Sequence, residues 1–251
     1  MFISTLIYVQ FLFCTAVYTI LAAPFCTWGM IRAKLLKRGD AGDVIRYFIL
    51  LYGKTILRFV FPPWIRLRYE NTDGTSCCGG IYVFNHRSAS DPFLVAAVSE
   101  IPPAQIANDW PMRLPFLGFF ARLGGYIDIK NLTYEEVLKK VRELVSRGIP
   151  VMAFPEGTRS GNRQMNQFYS TVFRVAKELE CPLTPVVIAG NEEIPNRQFK
   201  MKCGHILIRK LPPLDPEMLR SESAFVIKQK IRSIILEESM RMDAILDQKG
   251  K

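Results

Sequence analysis

Ile81-Tyr82-Val83-Phe84-Asn85-His86-Arg87-Ser88-Ala89-Ser90-Asp91-Pro92 reads as an apolar strand, a polar turn and the start of a helix. Four apolar residues in succession suit a short strand covered on both faces. Asp91 and Pro92 suit the N-cap and first position of a helix whose apolar residues continue over 93–98. His86 and Asp91 are five residues apart. On one helix that spacing separates two side chains by about 140°, and on one strand it puts them on opposite faces. They can face each other only across a strand-to-helix turn, which this stretch supplies. An imidazole held by a carboxylate on one ring nitrogen can take a proton on the other, the chemistry of a general base.

The same alternation of strand and helix continues along the chain. Thr133 and Glu136 form a capping-box pair ahead of Val137, Leu138, Val141, Leu144 and Val145, and Gly148 closes that helix. Strand-like runs recur at 151–154, 185–189 and 206–211, with a helix signal at 171–180 and a long amphipathic helix at 224–246. This order predicts an α/β fold: a mixed, mainly parallel sheet flanked by helices. No repeat, low-complexity tract or linker interrupts 71–251, so one α/β domain is expected over 66–251. The run at 151–154 leads into Phe154-Pro155-Glu156-Gly157-Thr158-Arg159-Ser160. That is a tight turn in which Gly157 permits close backbone approach, Thr158 and Ser160 offer hydroxyls, and Arg159 offers a fork suited to phosphate. The serine between Gly157 and Gly161 is misplaced for a hydrolase nucleophile elbow, and no P-loop or dinucleotide fingerprint is present.

Ahead of the domain, residues 1–65 read as membrane-anchoring helices. No charged side chain precedes Arg32, and 2–23 is apolar and long enough to cross a bilayer as a helix. A cleaved signal peptide fits poorly, because no Lys or Arg precedes the run and Pro24 follows the only small-residue pair, Ala22 and Ala23. Nine basic residues against two acidic ones then crowd into 32–68 (Arg32, Lys34, Lys37, Arg38, Arg46, Lys54, Arg58, Arg66 and Arg68 against Asp40 and Asp43). Such a cluster holds its side of the helix in the cytoplasm and attracts anionic lipid. The mixture of Arg46, Lys54 and Arg58 with apolar residues over 44–64 suits an amphipathic helix on the membrane surface.

Composition narrows the partners. With 49% hydrophobic and 22% charged residues in 251, the chain is globular or membrane-associated, not disordered or collagen-like. The net charge of +10 calls for anionic partners, but its concentration beside an apolar helix argues against nucleic acid. Six cysteines without a C-x-x-C pair and only two histidines exclude the usual zinc spacings and a secreted disulfide framework. The cysteines read as reduced thiols, and His205 reads as a surface strand residue.

Asn85-His86-x-x-x-x-Asp91, followed about 65 residues later by Phe154-Pro155-Glu156-Gly157-Thr158-Arg159, resembles the glycerolipid acyltransferases of the lysophosphatidate acyltransferase (PlsC) type. Gly124-Gly125-Tyr126-Ile127-Asp128-Ile129-Lys130 and Thr184-Pro185-Val186-Val187-Ile188 match two weaker blocks of that family, so the resemblance covers about 65–215. It implies a membrane-bound O-acyltransferase that moves a fatty acyl group from a thioester to a lysophospholipid hydroxyl. The leading acceptor is 1-acylglycerol-3-phosphate, giving phosphatidic acid. His86 would be the base and Asp91 its orienting carboxylate, with no covalent acyl-enzyme. Arg159 with Lys130 would hold the phosphate, and Asn85, Glu156, Gly157 and Thr158 would line the pocket. No cofactor or metal is implied, only acyl-CoA or acyl carrier protein as co-substrate. The basic segment 32–68 suits docking of an acidic carrier as well as membrane lipids. The expected place is the bacterial inner membrane, with the domain on its cytoplasmic face.

Three positions depart from the family pattern. Lys130 stands where the family usually has Arg, keeping the charge and losing the fork. Phe168 is followed by Tyr169, Ser170 and Thr171 in place of Lys-x-Gly, and Ala107-Asn108-Asp109-Trp110 lacks the Lys expected after Ala. A lyso-aminolipid or another hydroxyl acceptor would need fewer cations and is the second expectation. A non-catalytic membrane-binding protein is the third, disfavoured by the joint presence of His86, Asp91 and Glu156.

Overall fold

The computed structural model describes residues 2–36, 40–108, 112–113 and 117–249. Lys37 and Arg38 of the basic segment, and Asp109 and Trp110, lie outside the described residues. The elements run α1 (Phe2–Leu36), α2 (Ala41–Thr55, prolonged by a π-helical turn Ile56–Val60), β1 (Ile65–Asn71), β2 (Gly80–Phe84) and α3 (Asp91–Val98). There follow β3 (Ala104–Ala107), α4 (Leu117–Leu123), β4 (Ile127–Asp128), α5 (Tyr134–Ser146), β5 (Pro150–Ala153) and α6 (Thr171–Leu179). The chain ends with β6 (Leu183–Ala189), β7 (Gly204–Lys210), α7 (Pro216–Ser221) and α8 (Ala224–Lys249).

β2 is the middle of a seven-stranded sheet ordered β1-β7-β6-β2-β5-β3-β4. All pairs are parallel except β6 with β7. The mixed, mainly parallel α/β architecture expected from the sequence is therefore present. The apolar run of β2 is continuous because both of its faces are covered. Ile81 and Val83 join a core with α5 (Val137, Val141), α6 (Val172, Phe173) and α8 (Ile227, Ile231). Tyr82 and Phe84 join a second core with α3 (Leu94, Val95), the π-helical turn (Ile56, Val60) and Ile7 of α1. Full burial of such a side chain contributes about 1.5–3 kcal/mol.

Three strands escape a reading based on apolar runs. β1 alternates Ile65, Leu67 and Tyr69 with Arg66, Arg68 and Glu70 at the sheet edge, β3 has four residues and β4 has two.

The N-terminal helices cover the second core. α1 is 35 residues long and apolar enough to cross a membrane, and it continues through Pro24 to Leu36. Polar bonds nevertheless tie its first half to its neighbours: Tyr18 Oη donates to Phe48 O of α2 at 2.6 Å, and Tyr8 Oη donates to Phe199 O of the domain at 2.6 Å. Its opposite face presents Leu12, Phe13, Ile20, Leu21, Phe25 and Trp28 outward. α2 does not continue as helix to Trp64. The helical path ends at Val60, and residues 61–64 turn into β1. Its Gly53 packs so closely on α3 that an added Cβ would lie 2.7 Å from Ala96 Cβ.

Candidate active site

In a mainly parallel sheet, the loops leaving the carboxyl ends of the strands converge on one edge, and ligands bind there. Here those loops are 85–90 after β2, 154–170 after β5, Asn108 after β3 and 190–203 after β6.

His86 and Asp91 meet across the turn after β2, with His86 Nδ1 2.6 Å from Asp91 Oδ2. The His86 ring rests on Phe154, centroids 4.9 Å apart, and its side chain keeps 18% exposure. Nε2 has no partner among the described residues. Asp91 is fully buried. Its Oδ2 also accepts from Arg87 N at 2.7 Å and Ser88 N at 2.9 Å, and its Oδ1 accepts from Asn191 Nδ2. Asp91 is consequently not the N-cap of α3. Ser90 occupies that position and Asp91 is the first helical residue. The expected forward cap fails because the carboxylate turns back onto the amides of the preceding loop.

The turn after β5 folds over this loop. Glu156, 3% exposed, accepts from His86 N at 2.7 Å on Oε1 and from Asn166 N at 2.8 Å on Oε2. Ser160 N donates to His86 O at 2.8 Å and Gly161 N to Arg87 O at 3.0 Å. Glu156 thus holds the backbone that carries His86, where the sequence suggested a pocket-lining role. Asn85 is likewise bonded to backbone. It is buried, and its amide exchanges two 2.8 Å bonds with the backbone of Ile188, extending the β2–β6 pairing by a side chain. Gly157 has φ +70°, and an added Cβ would lie 2.7 Å from the Tyr169 ring, so Tyr169 covers this turn where the family pattern has Lys. Asn108, in the place of the other missing Lys, donates to Gly157 O at 2.9 Å.

Thr158 is exposed beside Gly157, and Arg159 stacks its guanidinium 4.5 Å above the Phe199 ring. Lys130 lies three strands away from His86 in the sheet order. It is exposed on the turn after the edge strand β4. β3 and β5 separate it from β2, roughly 14 Å at ordinary strand spacing.

Two contributors carry no local sequence signal because their partners are distant in the chain. Asn191, fully buried after β6, donates to Asp91. Arg87 is buried and makes two 2.7 Å bonds to Asp243 of α8, with a third at 2.5 Å to Ser239, so the C-terminal helix anchors the histidine loop.

Burial raises the Glu156 carboxyl to about 7, against the opposing effect of its two backbone N–H donors. An acid whose folded-state pKa exceeds its unfolded value favours the fold at low pH and loses that contribution as pH rises through the folded pKa. The contribution, roughly 3 kcal/mol, falls away between about pH 4.5 and 7. The melting temperature of the wild type minus that of Glu156→Gln, measured across this window, should therefore decline as pH rises. A difference that is flat or rises would refute the assignment.

The comparisons with known proteins agree with this geometry. The family model described as Acyltransferase matches residues 66–189, which span both motif loops. The chain is 24% identical over 245 residues to the 1-acyl-sn-glycerol-3-phosphate acyltransferase of Escherichia coli (strain K12), covering 95% of each chain. It is 25% identical over 223 residues to the enzyme of the same name from Limnanthes alba, covering 84% of this chain and 77% of that one. The crystal structure of the 1-acyl-sn-glycerophosphate (LPA) acyltransferase, PlsC, from Thermotoga maritima shares the fold, with a TM-score of 0.76, 20% identity and 95% coverage of both chains. The motif spacing, the sheet that brings both motifs to one edge and the family match over 66–189 converge: the chain is an acyltransferase.

Proposed function

We propose that the enzyme transfers a fatty acyl group from a thioester to the free hydroxyl of 1-acylglycerol-3-phosphate, giving phosphatidic acid, with His86 as general base. The observation that carries this reading is the His86–Asp91 contact, in which a buried carboxylate holds Nδ1 and leaves Nε2 open. The acceptor hydroxyl gives its proton to Nε2 as its oxygen attacks the thioester carbonyl. Collapse of the tetrahedral intermediate expels the thiolate, which takes the proton back from the imidazolium. Asp91 stabilises that transient cation, and Glu156 and Asn85 keep the loop in place. The names of the relatives supply the substrate class.

Membrane binding follows from α1. Its outward face is apolar, while its inward face is bonded to α2 and, through Ser4 and Tyr8, to the domain. It suits a helix lying in one leaflet with the domain at the surface. From there the enzyme meets its lipid acceptor in the plane of the membrane. Coenzyme A and acyl carrier protein present the same thioester, and the basic 32–68 segment suits either polyanion.

A second reading keeps the chemistry and changes the acceptor. The presence of Tyr169 and Asn108 where cations were expected favours it. The deciding experiment is acyl transfer by the full chain in neutral detergent. Lysophosphatidate is compared with zwitterionic and uncharged lyso-lipids, each with acyl-CoA and with acyl carrier protein. The highest kcat/KM is expected on lysophosphatidate. Turnover confined to a phosphate-poor acceptor would establish the second reading, and no turnover on any acceptor would remove both.

A further inference from the structure

We infer that Arg197, on the loop after β6, is a further cation for the acceptor's phosphate and works with Arg159. This rests on the proposed phosphate-bearing acceptor.

The loop 190–203 begins inside the site, where Asn191 holds Asp91. It is pinned again by Ser88, whose single O–H faces Ile194 O and Pro195 O, each 2.8 Å from Oγ. Arg197 then reaches back to the turn after β5. Its Nε and Nη2 donate to Ser160 O at 3.0 and 2.6 Å. Ser160 N in turn donates to His86 O. Two successive hydrogen bonds therefore connect the Arg197 guanidinium to the catalytic loop. Arg159 completes the cluster, since its Nη2 donates to Arg197 O at 3.4 Å and its guanidinium stacks on Phe199 of the same loop.

Charge distinguishes this pair from the other arginines near the site. Arg87 is matched by Asp243 and Glu192, and Arg163 by Glu192 and Asp247. The loop's other acid, Glu193, is taken by Lys202. Arg159 and Arg197 have no carboxylate partner among the described residues; the fold holds them together through carbonyl oxygens. Two guanidiniums on adjoining loops, each without a carboxylate counter-charge, suit a phosphate dianion. Arg197 commits two of its five N–H groups to Ser160 O, leaving a fork of donors suited to phosphate. The acceptor's phosphate is joined to its hydroxyl by only a short bridge. It must lie close to His86, and the Arg197 guanidinium is tied to the His86 loop through Ser160.

The test is steady-state kinetics of Arg197→Gln and Arg197→Lys in neutral detergent, with inorganic phosphate as a competitive inhibitor. Losing a charge-assisted contact should raise KM for lysophosphatidate and Ki for phosphate by roughly 10- to 100-fold. The kcat and the KM for the acyl donor should stay within about threefold, and the Lys variant should recover part of the loss. A purely structural role through Ser160 O would instead lower kcat with every acceptor, including uncharged ones, and that result overturns the inference. So does an unchanged KM accompanied by weaker binding to phosphatidylglycerol vesicles, which would make the loop a contact for bilayer headgroups. If the wild type ignores lysophosphatidate, the acceptor reading fails by itself. Phosphate binding that is lost in Arg197→Gln, read by thermal shift, then still supports the anion site, and its absence from the wild type removes it.

Discussion

Replacing His86 by alanine is expected to reduce acyl transfer by at least 10²–10⁴-fold while leaving the fold in place. A hydroxyl holds its proton far more tightly than an amine does, so its attack on a thioester depends on a base at hand. Among the described residues, no other imidazole is placed to substitute, since His205 is exposed at the start of β7. The structural cost is small because the bonds that hold the loop are made by backbone. His86 N to Glu156 and Ser160 N to His86 O survive loss of the ring. What disappears is the contact with Phe154 and one of four donors to Asp91. Measured kcat/KM should fall by that factor with a melting temperature within a few degrees of wild type. Retention of more than a tenth of the activity in a folded variant would remove His86 from the role of base.

How much of this site could be read from the chain depends on how local each contact is. His86 and Asp91 are five residues apart, and the apolar run before them and Pro92 after them leave one geometry in which they meet. The capping box of α5 was legible for the same reason, and Thr133 and Glu136 make both of its bonds. The position of Asp91 within the helix was not. Ser90 and Asp91 are both good caps, and the choice between them was made by the amides of Arg87 and Ser88. Glu156 and Asn85 were legible as motif residues, but nothing local shows that they bond backbone of distant segments. Asn191 and Arg197 could not be found at all. Asn191 bonds a residue 100 positions away and Arg197 one 37 away, and only the strand order puts their loop beside the histidine. Lys130 fits a sequence block, and its strand lies at the sheet edge.

Asp91→Asn and Asp91→Ala should separate charge from architecture, and the reason lies in Asn191. Asp91 accepts four N–H groups in full burial, from His86, Arg87, Ser88 and Asn191. Alanine leaves all four donors without an acceptor. At about 1–3 kcal/mol for each uncompensated buried donor, that substitution should unfold or severely destabilise the protein. An amide at position 91 keeps one oxygen for the three donors grouped on Oδ2 and turns its NH2 toward Asn191. That would set donor against donor, except that Asn191 Oδ1 is buried without a hydrogen-bond partner. Rotation of the Asn191 amide presents that oxygen to the new NH2 and restores the pairing. Asp91→Asn should accordingly fold with a melting temperature only a few degrees below wild type. Its activity should nonetheless fall on the order of 10³–10⁴-fold, because a neutral amide no longer stabilises the imidazolium formed as the hydroxyl is deprotonated. The check is kcat/KM beside a thermal melt for both variants. Activity of Asp91→Asn within tenfold of wild type would reduce Asp91 to a structural anchor of the loop. Equal destabilisation by the two substitutions would show that the Asn191 amide does not rotate.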